Sequence, residues 1–338
     1  MAAEDAKYRK KRLDRGIKAR ADTIFAISSY REILYLLLPR ALPVIALLVL
    51  ALLLKGYWGK VLVFACMYGL LALSWDFLAS CGLFSLGQAL FFGFGAYVAG
   101  TLSYYLHWTP AITLPIATLC GGLLSAGLLS TVVRLRGVYF AMVTLMLPML
   151  LLKMIETTGL VGGCHGLSAL APFRNEWIAR YLAVVAFLVC LFVFRRIINE
   201  DYGLVLRAIK DDDRAVMSAA INIYWRKIQA LFVAGAVGSF AGAFMTHHYQ
   251  FVGMSVFALD YSILPVAAAA LGGPGTFAGA ALGSMILVPL SESLRALGGL
   301  RIALYCIILI GSVIILPEGI FHYMERKYHQ FESLVRIG

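Results

Sequence analysis

Runs of about twenty apolar residues recur along most of this chain, and no other feature restricts its fold so tightly. In hydrocarbon every backbone N–H and C=O must find its partner inside the protein, so spanning segments are helices or closed barrels. A helix needs roughly 20 mostly apolar residues to cross. The runs predict spans near 36–54, 60–79, 86–106, 111–133, 137–155, 179–197, 228–247, 260–271, 276–293 and 302–317. The eighth is short and is expected to be a broken or re-entrant element. The fold class is therefore all-α, a polytopic transmembrane helix bundle of about ten spans or broken spans. Composition agrees. The chain is 61% hydrophobic and 14% charged, with mean hydropathy +0.85, whereas soluble domains run near half apolar and a quarter charged.

The charges sit between and beyond the runs, which sets the expected orientation because Lys and Arg are held on the inside of a membrane. With both termini inside, 21 of the 29 Lys and Arg fall on the inner side and 7 on the outer. The expected domains are a basic cytoplasmic tail over 1–35, a transmembrane domain over 36–318 with a cytoplasmic loop at 198–226, and a cytoplasmic tail over 319–338. The net charge of +11 is read as topology and contact with anionic lipid, with no nucleic-acid partner expected. The first apolar run follows a long polar segment, which argues against a cleaved signal peptide. The expected location is a membrane, crossed several times with both termini cytoplasmic.

The stretch from Ile198 to Lys227 carries seven Lys and Arg between two apolar runs, counting Arg195 and Arg196 at its edge. Asp211, Asp212 and Asp213 suit the start of a helix, where carboxylates meet free N–H groups and the positive helix end. Ala215, Val216, Ala219 and Ala220 then share one face at helical spacing. A short helix across the inner face, offering small apolar side chains to a soluble partner, is one reading. A linker helix resting on the membrane surface is the other.

Two glycine-rich stretches interrupt the apolar runs, Gly82 to Tyr97 and Leu271 to Gly283. Paired interruptions in corresponding halves point to an inverted repeat with a solute route between the halves. On that ground Ser85, Gly87, Gln88, Thr144, Gly272, Gly273, Gly275 and Thr276 are candidate pathway residues. Gly238 with Gly242, and Gly275 with Gly279 and Gly283, also fit close helix packing through small residues four apart. Packing alone does not account for Gly272-Gly273-Pro274-Gly275, which makes a poor helix interior. Asp76 is an acid within a span and thus a functional candidate. It either accepts hydrogen bonds from the glycine-rich turn that follows or couples transport to protons.

Sequence motifs exclude much chemistry. No Walker A loop occurs, so ATP is not hydrolysed here by a P-loop. Gly-x-Ser-x-Gly and His-Glu-x-x-His are absent too, and no catalytic residue, metal ligand or cofactor site is assigned. Cys66, Cys81, Cys120, Cys164, Cys190 and Cys306 show no CxxC spacing, so no disulfide framework or zinc site is expected. His247-His248, at the outer end of a span, reads as interfacial. Lys153 and Glu156 are placed to pair on one helix face.

Five separated blocks bear a family resemblance. Gly82 to Tyr97 resembles the early signature of permeases from branched-chain amino acid ABC importers of the LivM type. Arg134 to Leu145 is similar to their next block, and Gly162-Gly163 with His165-Gly166-Leu167-Ser168 to their outer-loop block. Gly203 to Asn222 resembles the cytoplasmic loop that docks the ATPase, and Leu271 to Thr276 the late glycine signature. The blocks come in family order over roughly residues 60–317. The resemblance implies an importer permease with no enzymatic activity of its own. Its implied partners are ABC ATPase subunits, a second related permease and an extracytoplasmic solute-binding protein. It also implies that Arg207, Asp211, Asp212, Asp213, Arg214, Ala215, Val216, Ala219 and Ala220 form the docking site. The chain departs from the pattern at Gln88, where the family usually has His, at Asp76, often Asn, and at Ala220, where Gly commonly precedes Ile-Asn. Urea and short-amide permeases are close relatives. A self-sufficient proton-coupled carrier using Asp76, and a membrane enzyme, are the readings from other classes.

Overall fold

A computed structural model describes residues 43–54, 56–135 and 137–297, together with 307, 310, 311, 314, 319–324 and 326. The 1–35 tail, the start of the 36–54 span, most of the 302–317 span and most of the 319–338 tail lie outside the described residues. So do Arg136 and Cys306. The chain divides into two units, Met1–Val49 and Leu50–Gly338. Of the first, only residues 43–49 are described, and they are helical.

The apolar runs become helices. α1 is the short apolar helix Pro43–Leu53, and α2 (Tyr57–Ala79), α3 (Gln88–Leu106), α4 (Pro110–Ser130) and α5 (Val138–Thr158) follow. Next come α6 (Glu176–Asn199), the short helices α7 (Asp201–Asp211) and α8 (Asp213–Ser218), and the long α9 (Ile223–Tyr249). α10 (Asp260–Gly272) and α11 (Phe277–Ser293) come after it. Among the described residues, strands are confined to one two-residue ladder, β1 (Leu167–Ser168) against β2 (Phe251–Val252), antiparallel. Where the sequence predicts ten crossings, seven helices among the described residues are long and apolar enough to cross a membrane. α11 and α1 are apolar but shorter. α10 has 13 residues, about 20 Å at 1.5 Å per residue. It reaches spanning length only with the 3-10 turn Met254–Phe257 in front of it.

α2 is the hub of the second unit. It packs against α6, α9, α10 and α11 and is buried along almost its whole length. α9 lies along α2, α3 and α4. Its small residues permit this, because a Cβ at Gly242 would run into the Phe92 carbonyl, and one at Gly95 of α3 into that of Ser239. Ser239 Oγ donates to the Phe91 carbonyl at 3.0 Å, and Thr246 Oγ1 donates to that of Ala96 at 3.3 Å. Gly279 and Gly283 bring α11 onto the α10 backbone in the same way. Small residues at crossings let van der Waals and polar contacts hold helices together where lipid supplies no hydrophobic drive.

α5 and α6 sit at the rim. Tyr139, Met142, Met146 and Leu150 of α5, and Ile178, Val185, Val189 and Phe192 of α6, are exposed. In an aqueous protein such faces would be anomalous; on spanning helices they are what lipid or another spanning helix covers. Lys153 pairs with Glu156 at 2.7 Å on α5, as their spacing predicts.

Candidate functional site

The charged end of the bundle is built from α7 and α8. The sequence leads to one helix started by three acids; the structure has two, with the acids at the joint. Asp211 closes α7. Asp212 is the N-cap of α8, its Oδ1 accepting from the Arg214 N–H at 2.8 Å. Asp213 lies in the first turn and receives Lys227 Nζ at 3.2 Å. α8 ends at Ser218, so Ala219 is its C-cap and Ala220 lies beyond it in the left-handed region at φ 58. The expected four-residue face is therefore divided. Ala215, Ala219 and Ala220 are exposed, while Val216 turns inward with Ile209 and Ile223. The reason is the break after Ser218, which removes the last two residues from the helical repeat. Arg207 and Arg214 are exposed.

Between this joint and the early glycine turn lies a cavity of about 290 Å³, lined among others by Cys81, Gly82, Lys210, Asp213 and Lys227. Burial pushes the Cys81 thiol up to about 12, although nearby Lys227 lowers it. A thiol so far above neutral pH is not a nucleophile.

A second group of polar residues lies among apolar helices. Ser74, Asp76, Ser85, Gln88, Thr144 and Ser262 are all wholly buried. The sequence predicts a broken stretch from Gly82 to Tyr97; the structure confines the break to the residues before Gln88, where α3 begins. There the Leu86 N–H donates to Thr144 Oγ1 at 3.0 Å, and the Gly87 N–H donates to Ser85 Oγ at 3.1 Å. A Cβ at Gly87 would press on the Thr144 carbonyl. Gln88 Oε1 lies 2.9 Å from Ser74 Oγ, and the Ala89 N–H donates to Ser262 Oγ at 3.0 Å. Among the described residues Gln88 Nε2 has no hydrogen-bond partner although it is buried, an exception to the rule that buried polar groups are paired.

The late glycine residues form a separate group. Gly273 and Gly275 have φ 108 and 87, values that a side chain strains to adopt. Thr276 Oγ1 donates to the Gly273 carbonyl at 2.9 Å, so this hydroxyl serves its own turn. Asp76 Oδ1 accepts from the Gly275 N–H at 2.6 Å. The acid therefore caps the late turn and not the one that follows it in sequence. Ser74 and Asp76 stand two residues apart on α2, about 200° around a helix of 3.6 residues per turn. One side of α2 thus reaches Gln88 and the other the late turn. Thr276 and Gly275 are not brought together with Ser85, Gly87, Gln88 and Thr144.

Sequence reasoning missed several anchors. Ser74 and Ser262 carry no signal beyond being hydroxyls in apolar runs. Arg180, counted as a topology charge, is buried at 5% exposure. Its Nη1 donates to the Leu54 carbonyl at 2.5 Å, and its guanidinium lies 4.9 Å from the Trp177 ring centroid. His247, read as interfacial, is buried inside the bundle. Its Nδ1 lies 2.8 Å from the Ala171 carbonyl, which can only accept, so in the neutral ring Nε2 accepts a hydrogen bond from the Thr113 hydroxyl at 2.6 Å.

Comparison with known proteins places the chain in a family. The family model described as the permease component of branched-chain amino acid transport systems matches residues 57–316. The high-affinity branched-chain amino acid transport system permease protein LivM of Escherichia coli K12 is 26% identical over 278 residues, which is 71% of this chain and 64% of that protein. The alignment thus spans under two thirds of that relative's length. The probable LivM of Methanocaldococcus jannaschii is 29% identical over 137 residues, 38% of this chain and 39% of its own. No solved structure gives a significant match. With seven apolar helices and a family match from Tyr57 across α2 to α11, this multi-pass membrane chain belongs to the branched-chain amino acid transport system permease family.

Proposed function

We propose that the chain is a membrane-spanning permease subunit of an ATP-driven ABC importer. It forms part of the route for branched-chain or other hydrophobic amino acids delivered by an extracytoplasmic solute-binding protein. ATP is hydrolysed by separate ATPase subunits, and a second related permease completes the route. The observation that carries this reading is the α7–α8 pair, folded onto the bundle yet turning Arg207, Arg214, Ala215 and Ala219 outward. A self-sufficient carrier has no need of such an element, whereas a permease driven from outside its own chain needs a surface on which a soluble engine can push. The relatives' names, which describe permease proteins of branched-chain amino acid transport systems, support the solute class. Gln88, Ser85, Gly87 and Thr144 are proposed to face the route, since a buried amide with a free N–H offers a polar solute one partner inside an apolar bundle.

The test is reconstitution of the full complex in proteoliposomes with labelled leucine and the solute-binding protein. ATP-dependent accumulation that excess urea does not compete is expected. Accumulation driven by a pH gradient without ATP would overturn the reading in favour of a proton-coupled carrier.

A further inference from the structure

We propose that the Asp213–Lys227 ion pair is the joint that makes the docking helix α8 and the long helix α9 move as one body. Lys227 is then a positioning residue of the transport cycle. The inference rests on the proposed function and goes beyond it, because neither the family match nor any motif singles out Lys227.

The pair is unlike the other described ion pairs. Lys153–Glu156, Arg196–Glu200 and Arg295–Glu292 each join residues three or four apart, and the basic side chain of each is largely exposed. Asp213–Lys227 joins two separate elements, and its side chains are only 10% and 16% exposed. Exposed pairs of the first kind contribute little. A shielded pair resists separation, since parting it strands the ammonium of Lys227, a residue only 8% exposed, out of water. The same joint is closed on its other side by Val216, packed with Ile209 and Ile223. Ile223 opens α9 and Lys227 lies one turn further on, so both an apolar and an ionic contact tie α8 to the first turns of α9.

Beyond the joint, α9 is stiffly attached to α3. Ser239 and Thr246 donate to carbonyls of α3, and Gly242 sits directly on the Phe92 carbonyl. The first residue of α3 is Gln88. Packed helices thus connect α8 to the Gln88 end of α3 without a break. A parallel contact exists on α7, where Lys210 Cα lies 3.4 Å from the space a Cβ at Gly82 would take. Spatial continuity alone does not demonstrate coupling, so the experiment measures coupling itself.

The full complex of both permeases, ATPases and solute-binding protein is compared in proteoliposomes for wild type, Lys227→Met, Lys227→Arg, and the charge-swapped Asp213→Lys with Lys227→Asp. Co-purified ATPase, ATP hydrolysis without solute, and leucine moved per ATP are read separately. Lys227→Met is expected to keep ATPase association and basal hydrolysis while leucine moved per ATP falls on the order of tenfold, a typical coupling magnitude. Lys227→Arg and the swapped pair should recover most of the loss. Arg196→Gln, which breaks an exposed pair, should match wild type throughout. An unchanged ratio in Lys227→Met, or ATPase association lost in step with uptake, would overturn the joint, the latter making the pair a simple tether. Failure of both Lys227→Met and Lys227→Arg to fold would overturn it as well. A wild-type complex with no ATP-dependent uptake would instead remove the importer reading on which the joint depends.

Discussion

Asp76, Gln88 and Ala220 each show how one side chain is committed by its neighbours. Asp76 keeps one carboxylate oxygen on the Gly275 N–H and leaves Oδ2 without a partner. The substitution Asp76→Asn retains the accepting oxygen, so most leucine uptake should survive in proteoliposomes. Asp76→Leu removes the acceptor and should cost about 1–3 kcal/mol of stability, the usual penalty for an unmade buried hydrogen bond. Thermal unfolding in detergent reads the difference. Complete loss of uptake in Asp76→Asn at normal expression would instead assign the acid a proton-coupled role. Gln88→Leu removes the free amide and should abolish most uptake with assembly intact. Thr276→Leu, whose hydroxyl bonds its own turn, should affect folding before transport. Ala220 stands at φ 58, where a Cβ costs roughly 1–2 kcal/mol. Glycine, the residue that the resemblance leads one to expect there, adopts this conformation freely. Ala220→Gly should therefore stabilise the permease by about 1 kcal/mol, seen as a raised unfolding midpoint. One of the three departures from the family pattern is thus also one of the non-glycine residues held at positive φ.

At the scale of elements, the docking pair and the α3–α9 crossing make contrasting predictions. Ala219 is exposed at the end of α8 and Val216 is buried beneath it. Ala219→Arg should leave the permease folded yet prevent ATPase co-purification and uptake, because a bulky charge then stands in the proposed contact. Retention of both would remove the docking role. Val216→Asp should destabilise the permease itself by roughly 1–3 kcal/mol, as an unpaired polar group is forced among Ile209 and Ile223. At the crossing, Gly242→Ala meets the Phe92 backbone and should disrupt assembly, whereas Gly127→Ala on α4 meets nothing within 4 Å and should be silent. The small-residue spacing around Gly238 and Gly242 made close packing there legible in advance, though not its partner, since period and residue size are local properties. The division of the charged stretch into α7 and α8 was not legible. It depends on Asp212 capping one helix just where Asp211 ends another, and three acids in a row read equally well as one cap.

The whole molecule is where sequence and tertiary structure part. Charge distribution predicts that single cysteines in the 156–178 loop label from outside and those in the 198–226 loop do not. Outside labelling of the latter, with native cysteines replaced, would overturn the orientation. By itself the sequence determined an all-α membrane bundle, the positions of its principal helices and the family, because hydropathy, helical length and ordered motif blocks are written residue after residue. It also marked Gln88, Thr144 and the two glycine turns as worth watching. Only the tertiary structure decided their company. It set Ser74 on Gln88 and Asp76 on Gly275, 199 residues away, fixed Lys227 to Asp213, and buried Arg180 and His247 among partners from other helices. Those choices depend on which helices cross and at what depth. A linear pattern carries no term for that, because in a bundle of near-equal apolar faces the crossings are chosen by small residues and buried hydrogen bonds between segments far apart in the chain.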